Sequence, residues 1–288
     1  MLNTIKQWIF VAAALALSWP LSSWMLSHLR AYDGSIGVPL ARDLTLSDAL
    51  LPVAASLCAF AILAWVAARM THRYVGSLIF GLCWVVLAHR FTPVDTLLRM
   101  AVSDPAVGAS GLKTLYFKFS LEALAWSLPA VLFVFAFART TPSRYPTEHG
   151  WKSPDSLTSA ALSLLGTLAL SWLFVRTEER DQSVGGLVAA SALSVMVVRM
   201  IWSNANGSLL IVVLTAGAGL LGALSSAFMI SPDVLDNMSR STLWPLIRVL
   251  PLDWVAGCLF GSALGIGLAR TFSEVDQPEP RPVAALKP

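Results

Sequence analysis

The chain has 288 residues, of which 56% are hydrophobic and 13% are charged, and its formal net charge is +3. This composition is too apolar for a soluble globular domain, and so small a charge gives no reason to expect nucleic-acid binding. The apolar residues come in runs of about 17–25, which is the length that crosses a bilayer as a helix. The sequence therefore predicts an all-α polytopic membrane protein.

Eight apolar segments are predicted to cross the membrane as helices. In chain order they cover residues 8–29, 49–68, 74–88, 119–138, 156–175, 184–198, 208–230 and 252–269. Short loops that carry Arg or Lys mark the cytoplasmic side. Arg69 and Arg73 lie in one such turn, and Arg139, Arg144 and Lys152 lie between the fourth and fifth segments. We therefore expect both termini to be cytoplasmic, in an integral protein of a bacterial-type inner membrane.

Two connections on the predicted outer face begin with helix-capping sequences. Thr92-Pro93-Val94-Asp95 provides a hydroxyl cap, a proline in the first turn and an acid three residues after the cap, and Ser231-Pro232-Asp233 begins in the same way. Apolar residues after the first of these starts fall on one helical face. Both connections are therefore predicted to contain short helices, the first of them lying in the membrane interface.

Short sequence tags recur in the same order in the first and second parts of the chain. The pentapeptide Leu-Ala-Leu-Ser-Trp occurs at 15–19 and again at 168–172. Residues 76–140 also align with 207–271 at one constant offset and without a gap. Internal similarity of this kind indicates a duplication, and the alternative is chance similarity in a chain rich in Leu and Ala.

The duplication predicts how the chain is divided. The predicted units are a first four-helix half at residues 1–140, a cytoplasmic linker at 141–155, a second four-helix half at 156–271 and a disordered cytoplasmic tail at 272–288. Because each half has an even number of spans, the halves would run parallel and be related by an axis along the membrane normal.

Small residues recur at every fourth position in the last two predicted spans. They are Gly257, Gly261 and Gly265 in the eighth span, and Ala218 and Gly222 in the seventh. Such stripes let helix backbones approach closely, so we expect packing within the chain, with contact between two copies as the alternative. A stripe of hydroxyl residues in the fifth span, which would either pack against a neighbour or line an aqueous path, contains Ser159, Ser163, Thr167 and Ser171.

Five ionisable residues near the predicted outer ends of spans are the candidates for function. They are Glu122, Asp253, His28, His89 and Arg90. Ionisable residues within spans are costly and often functional. Glu122 and Asp253 occupy equivalent positions at the constant offset, and each falls in the predicted first turn of a span, where an acid suits the helix dipole.

The sequence gives no pattern for a metal or a cofactor, and we expect none. Cys58, Cys83 and Cys258 each lie within an apolar run, without the spacing of a metal or redox site. His28 and His89 lie too near the ends of their spans for haem ligation inside the membrane, and each is close to an arginine.

Three functions are compatible with this pattern. The first is a permease for a small neutral or lipid-like substrate, with its path between the two halves. The alternative is a non-catalytic structural or assembly subunit of a membrane complex, and a third is an enzyme with a site on the outer face. Expected partners are membrane lipids, and other membrane subunits or a second copy of the chain. An open interface between the halves would favour the permease, and a packed one would favour the subunit.

Overall fold

The computed structural model describes residues 2–30, 36–37, 39, 46–91, 98, 108–141, 150–176, 180–231, 233–240 and 243–274. Within these ranges the regular secondary structure is helical throughout. In chain order the helices are α1 Leu2–Leu26, α2 Leu46–Met70, α3 Arg73–His89, α4 Gly108–Thr140, α5 Pro154–Phe174, α6 Arg180–Ile201, α7 Gly207–Met229, α8 Val234–Ser239 and α9 Pro251–Glu274, with a 3₁₀ turn at Pro245–Arg248 before α9.

Seven of these helices are long and apolar enough to cross a membrane. The eighth apolar helix, α3, has 17 residues. At 1.5 Å per residue it is about 25 Å long, which is near the lower limit for a span. The chain is therefore a multi-pass helical membrane protein, as the composition predicts, and its long helices together with α3 correspond to the eight predicted segments. The cytoplasmic location of the termini stays a prediction.

The start of α1 and the end of α9 lie at the same end of the bundle. Gln7 of α1 and Arg270 of α9 line one groove together with Tyr74 at the start of α3. We call this the terminal end. At the opposite end, which we call the distal end, His89 of α3 pairs with Asp181 of α6.

α9 is the central helix of the bundle. Of its apolar span 78% is buried, and it packs against α3, α4, α6 and α7. The apolar spans of α1 and α5 are only 28% buried. These two helices therefore turn most of their apolar surface outward, as helices in contact with lipid do.

The interface between the two predicted halves is packed at its middle. A Cβ atom built on Gly81 of α3 would lie 2.6 Å from the Cα atom of Phe260 in α9. A Cβ atom on Gly219 of α7 would lie 3.0 Å from that of Ala123 in α4 and 3.3 Å from that of Trp254 in α9. The helices therefore touch across the interface, and their backbones leave no room for an aqueous path at this depth.

The helix pairings agree only in part with the predicted duplication. The contact of α3 with α9 has its counterpart in the contact of α7 with α4, and the contact of α1 with α3 has its counterpart in that of α5 with α7. The second helix of each half behaves differently, because α2 packs on α3 and α1, whereas α6 packs mainly on α9 and α5. The duplication and the domain limits drawn from it stay predictions.

The hydroxyl stripe of α5 is buried against other helices. Ser159, Ser163, Thr167 and Ser171 are all fully buried. In α6 the Ser194 hydroxyl donates a hydrogen bond of 2.8 Å to the carbonyl oxygen of Ser163. Of the two roles that the sequence allows for this stripe, the structure therefore favours packing over lining an aqueous path.

A cap covers the distal ends of α4 and α7. It contains α8 and the 3₁₀ turn, and α8 lies in the second of the two connections predicted to contain a short helix. The hydroxyl of Tyr116 in α4 donates a hydrogen bond to the carbonyl oxygen of Ile247 in this cap. The helix predicted after Thr92 lies outside the described residues, apart from Leu98, which is buried.

Candidate functional site

Glu122 lies well inside α4 and not in the first turn of a helix. The apolar run begins near Phe119, so the sequence predicts a helix start there. The helix begins instead at Gly108, because the more polar residues before Phe119 continue it up to the distal cap. The Glu122 carboxylate is buried and accepts a 3.0 Å hydrogen bond from Nε1 of Trp126, one turn further on. The first-turn position predicted for Glu122 is therefore wrong.

Asp253 lies in the first turn of α9, and its side chain is buried. Its Oδ2 atom accepts a 3.0 Å hydrogen bond from the backbone N–H of Leu250, immediately before the helix. This is the bond by which an acid in the first turn satisfies an orphan donor at a helix start. The residues that follow Glu122 and Asp253, Ala123 and Trp254, both approach Gly219. The two acids therefore lie at a similar level of the bundle.

The two candidate histidines have separate partners at the distal end. The Nδ1 atom of His28 lies 2.9 Å from the carbonyl oxygen of Trp24, within the end of α1. The Nδ1 atom of His89 lies 2.7 Å from an Oδ1 atom of Asp181 in α6. His28 thus contacts the end of its own helix, whereas His89 joins α3 to α6.

Arg90 contacts α1 and not the acids. Its Nη2 atom donates a 2.9 Å hydrogen bond to the hydroxyl of Ser23, and its guanidinium carbon lies 4.3 Å from the centre of the Trp19 ring. The distal candidates therefore share one end of the bundle without forming one reactive set. Among the described residues, no group of three or more His, Cys, Asp or Glu side chains is placed to hold a metal ion.

The glycine stripe of α9 faces α6. A Cβ atom on Gly257 would lie 2.5 Å from that of Leu187, and one on Gly261 would fall on the Ser191 hydroxyl. That hydroxyl donates a 3.0 Å hydrogen bond to the carbonyl oxygen of Gly257. Gly265 continues the same seam, where a Cβ atom would lie 3.0 Å from that of Val195. These glycines therefore make close contacts between helices of one chain.

The small residues of α7 also lie in packed surroundings. Ala218 is fully buried. A Cβ atom on Gly222 would fall within the indole ring of Trp254, so this glycine makes the space in which the ring lies. The stripe of α7 thus accommodates the largest side chain near the start of α9.

A groove of about 630 Å³ opens at the terminal end between α1, α3 and α9. Its walls are mainly apolar. The apolar side chains that line it include Trp8 and Val11 of α1, Leu78 and Ile79 of α3, and Leu264 and Leu268 of α9. Because α3 and α9 belong to different predicted halves, the groove lies between them.

The mouth of the groove is cationic. The guanidinium carbons of Arg270 and Arg73 lie 4.3 Å and 4.9 Å from the centre of the Tyr74 ring. Arg73 also donates a 2.9 Å hydrogen bond from Nη2 to the Tyr74 hydroxyl. This hydroxyl packs on α7, since a Cβ atom on Gly207 would lie 2.5 Å from it. Both Arg270 and His72 line the groove, and among the described residues no acid does.

The groove closes toward the middle of the bundle. Its deepest lining residue in α3 is Ile79, and two residues further on Gly81 meets the backbone of Phe260. On the opposite wall a Cβ atom on Gly267 would meet nothing within 4 Å. Gly267 therefore faces open space, and a larger side chain there would narrow the groove.

A second cavity, of about 430 Å³, lies at the distal end. Trp172 of α5 and Arg176, two residues beyond the end of α5, line it together with Asn237 and Trp244 of the cap. The guanidinium carbon of Arg176 lies 4.9 Å from the centre of the Trp172 ring, and Asn237 donates a 3.0 Å hydrogen bond to the Ser231 hydroxyl. These groups contact one another and hold the cap in place.

The sequence does not identify the groove, because its lining comes from three segments far apart in the chain. In the sequence, Arg73 is informative only as a basic residue in a short loop, which marks the cytoplasmic side. Arg270 stands out only through the tag Ala269-Arg270-Thr271, which repeats Ala138-Arg139-Thr140 of the first half. Folding brings Arg270 beside Tyr74.

The groove is larger than the distal cavity, and the predicted polar residues lie outside it. Its chemistry is apolar along the walls and cationic at the mouth. Comparison of the chain with protein-family models, with curated proteins and with solved structures finds no match.

Proposed function

We propose that the protein is a permease for a lipid-like substrate, which enters through the groove between α1, α3 and α9. The groove itself is the observation that carries this proposal. It lies between the predicted halves, opens at the terminal end and stops where Gly81 meets Phe260. A carrier built from two halves needs a site between them that is open to one side and closed to the other.

The walls of the groove favour a substrate with an apolar part. Leu78, Ile79 and Leu264 offer hydrocarbon surface, which an apolar chain covers favourably and a small polar solute does not. The spans carry few ionisable residues, and Glu122 and Asp253 are buried outside the groove. Few such residues are available to couple movement to an ion gradient, so the substrate would move down its own gradient.

The test is lipid movement in reconstituted vesicles. The protein is placed in phosphatidylcholine vesicles with a trace of fluorescent phospholipid, and dithionite reports how fast lipid crosses the bilayer. We expect faster loss of the protected fluorescence than in protein-free vesicles. Gly267→Leu should reduce the gain because its side chain narrows the groove.

Gly185→Leu is the matched control, since a Cβ atom there also meets nothing within 4 Å but Gly185 lies outside the groove. This variant should keep full activity. Equal rates with and without protein, or full activity of Gly267→Leu, would contradict the proposal.

A structural or assembly subunit is the second candidate function. The packed middle of the bundle favours it, since Trp84 and Trp254 are fully buried there. The outward apolar faces of α1 and α5 would then contact other membrane subunits. Purification from native membranes in mild detergent distinguishes the two: companion chains in fixed stoichiometry, with no lipid movement by the isolated protein, would support the subunit.

We also propose that the terminal end is cytoplasmic, because the turn between α2 and α3 carries Arg69 and Arg73. Single cysteines at Gly150 and at Asp181, in a background lacking the native three, test this. Gly150 has open space around it, and the Asp181 side chain is 75% exposed. Gly150→Cys should react with an impermeant maleimide only from the cytoplasmic side, and Asp181→Cys only from the outside. Reaction of both from one side would overturn the topology.

A further inference from the structure

The charge in the groove is concentrated at one end. Arg270 lines the mouth, Arg73 supports Tyr74 beside it, and the deeper lining residues are apolar. A groove with this polarity matches a molecule that has an anionic head and a hydrocarbon chain. The cations suit the head, and the apolar walls suit the chain.

The arginine at the mouth is held in place by its neighbours. Its guanidinium lies against the Tyr74 ring, whose other contacts include Arg73, His72 and α7 at Gly207. A guanidinium that is oriented by a ring loses less side-chain freedom when it binds, and its planar donors match phosphate oxygens. Arg270 is half-buried, so water screens such a contact less than on an open surface.

From these observations we infer that the groove binds an anionic phospholipid, with its phosphate at Arg270 and the upper part of an acyl chain between α3 and α9. From Arg270 to Ala263 the wall runs for about 10 Å at 1.5 Å per residue, which is enough for part of one chain. The remaining hydrocarbon would lie in the bilayer beside α1.

The proposed topology places the groove in the cytoplasmic leaflet, where anionic lipids attract basic groups. The further claim that this lipid class is the substrate of the permease rests on the proposed function. The binding itself does not depend on transport.

The experiment measures which lipids remain bound. The full chain is reconstituted in phosphatidylcholine vesicles that contain phosphatidylglycerol, extracted gently, and examined by native mass spectrometry. The bound ratio of phosphatidylglycerol to phosphatidylcholine, divided by the ratio in the vesicles, gives the preference. We expect the wild type to favour phosphatidylglycerol.

Arg270→Gln should lower this preference about fivefold, which corresponds to the loss of one basic contact with an anionic lipid. Arg270→Lys should keep most of this preference, because it keeps the positive charge. It therefore separates the effect of the charge from that of the planar guanidinium group. Arg69→Gln is the matched control, because Arg69 lies at the same end, 5.2 Å from the centre of the Trp65 ring, and does not line the groove. Gly267→Leu should reduce bound lipid of both kinds.

No preference in the wild type, or equal losses in Arg270→Gln and Arg69→Gln, would overturn the inference. The two proposals also fail separately. A preference for phosphatidylglycerol that depends on Arg270, without lipid movement in vesicles, would support the binding site and contradict the permease. Lipid movement that Gly267→Leu blocks and Arg270→Gln does not alter would support the permease and contradict the binding of an anionic headgroup at Arg270.

Discussion

Two faces of α9 use glycine in opposite ways. On one face Gly257, Gly261 and Gly265 bring α9 against α6 so closely that an added Cβ atom would collide. On the other face Gly267 lies only two residues beyond Gly265, which turns it by about 200° around the helix, and it looks into open space. The same residue type therefore closes a seam on one side and leaves a groove on the other. The spacing of glycines alone does not distinguish these roles.

Among the substitutions that test this comparison, Gly261→Leu should have the largest effect on stability. Its Cβ atom would fall on the Ser191 hydroxyl and lie 2.5 Å from the carbonyl oxygen of Val188, and a backbone atom cannot move aside cheaply. We expect the free energy of unfolding to fall by about 3 kcal/mol, at the upper end of overpacking costs. Thermal unfolding in detergent measures the change. A melting temperature equal to that of Gly185→Leu would show that the seam is loose.

Gly81→Ala tests the contact that closes the groove. One methyl group here would lie 2.6 Å from the Cα atom of Phe260, so α3 and α9 must separate. We expect a loss of about 1–2 kcal/mol, because a methyl group is smaller than the side chain of leucine. We also expect faster lipid movement in vesicles if this contact is the barrier. Slower movement together with unchanged thermal stability would contradict both expectations.

Asp253→Ala removes the bond that begins α9. The backbone N–H of Leu250 would lose its acceptor, and losses of helix-start bonds cost about 0.5–2 kcal/mol. Asp253→Asn keeps an acceptor oxygen and should be less destabilised. Comparison of the melting temperatures of the two variants separates the loss of the hydrogen bond from the loss of charge. Equal stability of Asp253→Ala and the wild type would show that the bond contributes nothing.

Gly267→Leu should have the smallest effect on stability, within about 0.5 kcal/mol of the wild type, because nothing lies within 4 Å of the new Cβ atom. Its expected effect is on bound lipid. Calorimetry or thermal unfolding in detergent checks the first point. A large loss of stability would mean that the groove is filled or closed in solution.

The sequence predicts the apolar helices well, because a bilayer imposes a length and a composition on each span. It places the start of α9 to within one residue, since the predicted span begins at Leu252 and the helix at Pro251, two residues before Asp253. It misplaces the start of α4, because hydropathy marks where the membrane begins and not where the helix does. Before the apolar run, Leu112 and Tyr116 pack with Leu243 and Ile247 of the cap and so continue the helix.

The groove could not be predicted in the same way. Trp8, Tyr74 and Arg270 are ordinary residues for the ends of membrane helices, and each has a sufficient local explanation as an interfacial anchor. Only the three-dimensional order of α1, α3 and α9 makes them neighbours. An enzyme site on the outer face, the third function that the sequence allows, would need the distal candidates to act together, but His28 and His89 have separate partners.

The length of α4 has a mechanical consequence. Its 33 residues span about 50 Å, whereas the hydrocarbon core is about 30 Å thick, so one helix reaches from the terminal end into the distal cap. Tyr116 bonds this projecting part to Ile247. Because of this bond, a change in the tilt of α4 within the bilayer would also move the cap. A bilayer of different thickness, which changes the tilt of so long a helix, would therefore move the distal cap as well, whereas the groove is lined by α1, α3 and α9.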